Sequence, residues 1–311
     1  MLVHGITSIM TFAGLAVGIL ILGLLTSWID RKVTALVQAR VGPPWFQPVA
    51  DILKLFGKET LAPDGPGRTI FLSAPVFGLA GMALASALIG FAVVRPESGF
   101  IGDVLVLIYL LTIPSIALII GAGASGNPMA AVGASREMKL ILGYELPYLI
   151  VITTIIYKSG FELRLGSIIA NQVENGWYLW SISGIIGFVV MILATQAKLG
   201  LVPFDMPEAD QELMGGIITE YSGPPLAVIK MTKTMLFAVL PLFVSILFFG
   251  GIHLSGVGIL FSLLKYVVVV VLIVLIRNTN PRVRIDQAVR FFWGPMTILA
   301  LVGLGLALLG L

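Results

Sequence analysis

The chain contains no cysteine. That excludes a disulfide, an iron–sulfur cluster held by the chain itself and a thiol nucleophile, so any redox metal would have to sit in a partner. Histidine is nearly as scarce. His4 and His253 stand far apart, each at the end of an apolar run and with no second ligand at metal-binding spacing, and they read as polar residues at a membrane surface. Charge is scarce too: only 11% of the 311 residues are Asp, Glu, Lys or Arg, against about 25% in a soluble domain. No Walker sequence, Ser-His-Asp arrangement or zinc spacing occurs, so nothing marks a self-contained enzyme. The net charge of +3 does not point to nucleic acid, because the basic residues flank apolar runs.

Apolar sequence fills the chain instead, 58% by composition. Met1 to Ile29 and Thr69 to Val94 hold no Asp, Glu, Lys or Arg, and crossing a hydrocarbon core takes about 20 apolar residues. The solvent of such a chain is the lipid bilayer. The first run lacks a basic leader and is too long for a cleaved signal, so Met1 onward is expected to be retained. The runs are long and do not alternate, which favours helices over barrel strands. They predict an all-α integral membrane bundle of about eight transmembrane helices, near 6–28, 72–94, 104–122, 139–157, 177–197, 225–249, 259–277 and 291–310, forming a single transmembrane domain over 1–311.

Lys and Arg orient the bundle. Connections after the first, third, fifth and seventh spans hold Arg31, Lys32, Arg40, Lys54, Lys58, Arg68, Arg136, Lys139, Lys198, Arg277, Arg282, Arg284 and Arg290. The opposite side holds only Arg95, Lys158 and Arg164. The rich side is expected to be cytoplasmic, with both termini outside. The two longest connections, 29–71 and 198–224, fall on that side and are the expected partner-facing loops.

Chemistry concentrates in the same place. If the fourth helix begins near Lys139, Glu145 lies about two turns inside the membrane. There an ionised carboxylate costs several kcal/mol unless paired, hydrated or protonated. Pro147 removes the hydrogen bond to the Gly143 carbonyl, and Tyr144 and Tyr148 offer hydroxyls nearby. A buried protonatable group is the preferred reading; a glutamate reaching back to interfacial water is the alternative. Residues 203–220 carry Asp205, Glu208, Asp210, Glu212 and Glu220 with almost no basic neighbour. Asp205 and Glu208 fit a capping box with Pro207 in the first turn. Glu208, Glu212 and Glu220 are spaced by multiples of four, so a continued helix would align them on one face, although Gly215 and Gly216 could break it. Aligned acids raise one another's pKa, which suits a proton relay; a solvated acidic loop is the alternative. A third group has mixed sign: Asp30-Arg31-Lys32, Arg136-Glu137, and Arg282, Arg284 and Asp286. Snorkelling anchors explain part of it, and its tight spacing suggests ion pairs between loops or with a partner. Gly121-Ala-Gly123-Ala-Ser-Gly126 satisfies G-x-G-x-x-G, but it follows no strand and reads as close helix packing, not a dinucleotide site.

These blocks together resemble a known family, the H subunit of respiratory complex I (NADH dehydrogenase subunit 1) and its counterparts in energy-converting membrane-bound NiFe hydrogenases and sulfane sulfur reductase. The markers are Asp30-Arg31-Lys32 with Gln38-Ala-Arg40-Val-Gly42-Pro43, and Gln47-Pro-Val-Ala-Asp51-Ile-Leu-Lys54-Leu-Phe. They continue with Gly143-Tyr-Glu145, Pro203-Phe-Asp205-Met-Pro-Glu208-Ala-Asp-Gln-Glu212-Leu, Glu220-Tyr221-Ser222-Gly223 and Pro281-Arg-Val-Arg284-Ile-Asp286-Gln287. The resemblance implies an eight-helix anchor in the plasma membrane, joining a cytoplasmic redox arm to an ion-pumping arm. By motif match Glu145, Asp205, Glu208, Glu212 and Glu220 fall on the family's chain of acids; Asp210 stands where glutamate is common, and Asp30 replaces a glutamate. The first cytoplasmic loop lacks the second Gly-Pro unit of the quinone-chamber wall, since Gly42-Pro43-Pro44-Trp45-Phe46 runs directly into Gln47-Pro48. That shortening resembles the hydrogenase branch. The implied partners are then a NiFe-type large subunit, an iron–sulfur small subunit, small membrane subunits and antiporter-like subunits, with ferredoxin as donor. The chain itself is expected to bind no cofactor. Alternatives are a quinone-site subunit of a true complex I, a stand-alone secondary ion transporter, and a purely structural anchor.

Overall fold

Inside hydrocarbon the backbone must satisfy its own hydrogen bonds, so long apolar runs close into helices. A computed structural model describes the backbone of residues 2–96, 99–252 and 256–311, and their side chains except at 2–9, 210 and 211. His4, His253 and the Asp210 carboxylate therefore lie outside the described residues. No strand occurs among those described.

The first helix, α1 (Leu2–Val37), runs past the point where the sequence suggested it would stop. Asp30-Arg31-Lys32 lies inside it, and the connection expected at 29–71 begins after Val37. That connection holds a helix of its own, α2 (Gln47–Phe56), started by Pro48 in its first turn. It is followed by α3 (Arg68–Val94). The third expected span is two helices, α4 (Asp103–Leu110) and α5 (Ile113–Ala124), broken at Leu111–Thr112. Pro114 opens α5 and cannot donate to the carbonyl a turn before it, so a continuous helix is interrupted there.

Next comes α6 (Pro128–Lys158), capped by Asn127, whose side chain accepts from the Met129 amide. It begins 11 residues before Lys139 (139 − 128), so Glu145 sits near its middle and not two turns from an end. A short helix, α7 (Leu165–Asn175), fills the following connection. The fifth span, expected from 177, is a 3-10 turn at Tyr178–Trp180 and then α8 (Ile182–Lys198). After α9 (Asp210–Leu213) come α10 (Gly223–Phe249), α11 (Gly258–Thr279) and α12 (Ile285–Phe291). Arg284 caps α12, so Asp286 belongs to the last span and does not precede it. A π-turn at Phe292–Met296, containing Pro295, leads to α13 (Thr297–Leu308).

Seven stretches among the described residues are long and apolar enough to cross a membrane, with α4–α5 and α12–α13 each counted as one. The eighth, α8, is apolar but has 17 residues, about 25 Å at 1.5 Å per residue. The chain is a multi-pass membrane protein. Its centre is α10, of whose apolar window 83% is buried, with α1, α3, α8 and α11 packed around it. Gly23 of α1 meets the Thr234 backbone so closely that no Cβ would fit, the close approach that small residues allow between membrane helices. The connections 38–67, 199–222 and 280–284 gather at one end, called here the loop-rich end.

Candidate functional site

At the loop-rich end, residues 199–222 fold into the mouth of the bundle as turns. A 3-10 turn at Met206–Glu208, the single helical turn of α9 and a second 3-10 turn at Gly216–Ile218 are separated by a left-handed run at Met214, Gly215 and Gly216 (φ 50°, 93° and 49°). That run reverses the chain, and glycine is the residue that tolerates it. Glu208, Glu212 and Glu220 therefore do not share a helical face. The capping box is absent as well, since Asp205 makes no side-chain cap bond.

Each acid whose side chain is described goes instead to a partner from another element. Asp205 pairs with Arg282 at 2.6 Å, and Glu208 pairs with Lys233 of α10. Glu212 pairs with Arg136 of α6 at 2.7 Å, and Glu220 accepts from the Asn127 amide at 2.5 Å. The expected row of mutually repelling acids is replaced by three ion pairs and one hydrogen bond from a neutral amide. The hydrogen bond from Arg136, and then its charge, hold the exposed Glu212 carboxyl below the usual carboxylate range. Arg136 also donates to the Met206 carbonyl at 3.3 Å. Gly133, one turn earlier, lets the segment lie against α6: a Cβ there would come within 2.5 Å of the Ile217 nitrogen and 2.9 Å of the Pro207 oxygen.

Deeper in the bundle stands a group that the sequence reading did not assemble. Glu145 is half-buried near the middle of α6. Lys198, taken from the sequence as a loop charge, is 3% exposed. Its ammonium lies 4.9 Å from the Tyr148 ring centre and 5.6 Å from that of Tyr144, with no hydrogen-bond partner among the described residues. The two tyrosine hydroxyls are likewise buried and unpartnered. Glu145 and Glu137 both act on the Lys198 charge. The charges of Lys233 and Lys198 both act on Glu137. Glu208, Lys233, Glu137, Lys198 and Glu145 thus form a series of alternating sign, joined by the Glu208–Lys233 ion pair and then by charge interaction. Glu137 was grouped with Arg136 and Lys198 with the loop charges, and neither they nor Lys233 were placed in this group, although spacings of 7 and 4 put Glu137, Tyr144 and Tyr148 on one face of α6, and a lysine within an apolar span is itself a signal.

Around this group Asp30, Arg31, Arg136 and Arg282 of the mixed-sign blocks enter ion pairs. Arg31 bonds Asp51 at 2.7 Å and Gln47 bonds it at 2.9 Å, tying α1 to α2. Burial pushes the Asp51 carboxyl up, but the hydrogen bonds from Arg31 and Gln47 with the Arg31 charge outweigh it and leave the group below its ordinary value. Asp30 pairs with Arg277 of α11 at 2.7 Å. Its other oxygen is buried without a partner among the described residues, and Asp30 lines a cavity of about 180 Å³ together with Glu208 and Lys233. Lys32 donates to the Val41 carbonyl at 2.6 Å. Arg40, Lys54, Arg284 and Asp286 are exposed and join no ion pair among the described residues. Of the glycine run, Gly121 serves packing: a Cβ there would strike the Tyr221 hydroxyl, and the Tyr221 ring stacks on Phe71 at 4.2 Å.

The family model described as NADH dehydrogenase matches residues 10–308. The H subunit of NADH-quinone oxidoreductase from Anoxybacillus flavithermus is 33% identical over 314 residues, covering 96% of this chain and 93% of the relative. Its counterpart from Bacillus thuringiensis is 34% identical over 319 residues, covering 97% and 95%. A chain in the structure of the membrane-bound sulfane sulfur reductase, an archaeal respiratory membrane complex, superimposes with a TM-score of 0.86 at 26% identity, covering 96% of this chain and 99% of that one.

Proposed function

The chain belongs to the NADH dehydrogenase family of H-type membrane subunits, and from that premise we propose that it couples electron transfer in a partner arm to ion movement through the membrane arm. It is a subunit of a multi-subunit oxidoreductase complex. In this reading the loops at the loop-rich end, 29–71 and 198–224, face the cytoplasm at the plasma membrane and receive a NiFe-type large subunit with its iron–sulfur small subunit. Ferredoxin supplies electrons, the metal centres stay in those partners, and small and antiporter-like membrane subunits carry the ion path onward.

The observation that carries the reading is the alternating charge series from Glu208 to Glu145. In a site of low effective dielectric, charges a few ångströms apart interact by several kcal/mol. Displacing residues 199–222 during turnover loosens Glu208 from Lys233 and Glu212 from Arg136. The field at Glu137 and Glu145 changes, and protonation follows it. Asp205, Asp210 and Glu220 belong to the moving segment. Glu145→Gln in the assembled complex is expected to leave electron transfer intact while ion movement per electron falls. Unchanged coupling would overturn the proposal.

A second reading, a quinone-linked complex, is favoured by the names of the curated relatives. It also draws on an apolar cavity of about 460 Å³ beside Asp205, lined by Leu193, Phe204, Ile276 and Phe291 among others, within the size range of small-molecule sites. Reduction of a quinone analogue by the purified complex decides for it; hydrogen or sulfide production without quinone decides for the first.

A further inference from the structure

The proposed coupling names carboxylates as the titrating groups, and the loop segment satisfies most of them with fixed partners. Lys198 differs from them all. It is more than nine-tenths buried, its ammonium makes no hydrogen bond among the described residues, and it is the C-terminal residue of α8, next to the 199–222 segment. Two aromatic faces hold it at 4.9 and 5.6 Å, so attraction to the rings positions the cation without fixing its N–H directions. The charges of two acids act on it, Glu137 and Glu145, eight residues apart on α6 with Glu145 nearer its middle.

We propose that Lys198 is a proton-exchanging residue that links Glu137 to Glu145, and not a structural counter-charge. The inference rests on the coupling function proposed above and adds the group through which the two acids communicate. The step balances within the chain. An N–H bond of the Lys198 ammonium breaks as its proton passes to the Glu145 carboxylate, leaving a neutral amine and a carboxylic acid. The amine then takes the proton of a protonated Glu137, which returns to carboxylate. One proton has moved from Glu137 to Glu145, and Lys198 is regenerated. A lysine stem is flexible enough to face two partners in turn, and the amine can release its proton; a guanidinium cannot. The unpartnered Tyr144 and Tyr148 hydroxyls border the same space and give a bridging water its partners.

The chemical difference between lysine and arginine supplies the test. In the intact complex, K198R keeps the cation and its contact with the rings but cannot exchange a proton. K198M removes the charge, and K198H restores an exchangeable one on a shorter arm. Assembly is checked by copurification of the partner subunits, and ions moved per electron pair are measured in vesicles alongside electron transfer. The expected result is a loss of coupling of about ten-fold or more in both K198R and K198M, partial recovery in K198H, and electron transfer retained in all three. Coupling preserved in K198R overturns the proposal, because a fixed cation then suffices, and so does coupling preserved in K198M. If K198R fails to assemble, the remaining pair decides: recovery in K198H over K198M supports exchange, and none refutes it. Loss in Glu145→Gln with retention in K198R would remove this inference alone, whereas retention in Glu145→Gln removes the coupling function beneath it.

Discussion

Gly133→Ala tests whether residues 206–218 are seated on α6 by backbone contact. A methyl group at Gly133 would meet the Ile217 nitrogen at 2.5 Å, the Pro207 oxygen at 2.9 Å and the Gly216 carbonyl carbon at 3.0 Å. All three are backbone atoms, so no rotamer change relieves them. Overpacking of this kind costs about 1–3 kcal/mol, and a site walled by backbone belongs at the upper end. Alanine recovers about 1 kcal/mol over glycine in a helix. The net is about 2 kcal/mol, confined to the docked segment, which corresponds to roughly a 30-fold shift in its opening equilibrium. Amide hydrogen exchange of the solubilised protein reads that shift directly. Protection over 206–218 should fall by about that factor, while the buried helix α10 stays unchanged. The control is Gly123→Ala, where a Cβ meets nothing within 4 Å and no loss is expected. Unchanged protection over 206–218, or an equal loss in the control, would refute the seating and the Arg136–Glu212 contact that depends on it.

Two further outcomes follow from the ion pairs at the rim. The folded Asp51 carboxyl lies below its ordinary value of 3.8, so the unfolded state takes up the proton first as pH falls. The pair's contribution is full above pH 3.8 and is lost as pH falls through the lower folded value; a carboxyl NMR titration should show that low midpoint, and Arg31→Met should move it upward. Removing Asp30 strands Arg277, whose side chain is 36% exposed, at a cost of about 1–3 kcal/mol. Thermal denaturation in detergent should show Asp30→Asn destabilised and the double variant with Arg277→Gln partly restored; a double variant worse than the sum of the singles would contradict the pairing.

Composition by itself determined the class of this protein. With so little charge and charge-free runs of membrane length, helices in a bilayer are the solution that leaves no backbone group unpaired, so the eight spans and the loop-rich end could be read from spacing. Boundaries were less legible. The sequence placed the start of the fourth span at Lys139 because charge marked it, yet Ser135, Arg136 and Glu137 are helical, carried by the Asn127 cap and Pro128. The acids at 205–220 were visible, but their arrangement was not. Periodicity assumed a continuous helix, but the backbone turns left-handed at Met214–Gly216, and the described carboxylates meet partners on α6, its Asn127 cap, α10 and the 280–284 connection. Which base meets which acid depends on side chains far apart along the chain, by 247 residues for Asp30 and Arg277, and local spacing says nothing about that. The same holds for Lys198. In the sequence it is one more basic residue at the end of a span; only the packing of α6 against α8 buries it against the rings of two tyrosines, where the charges of two glutamates act on it.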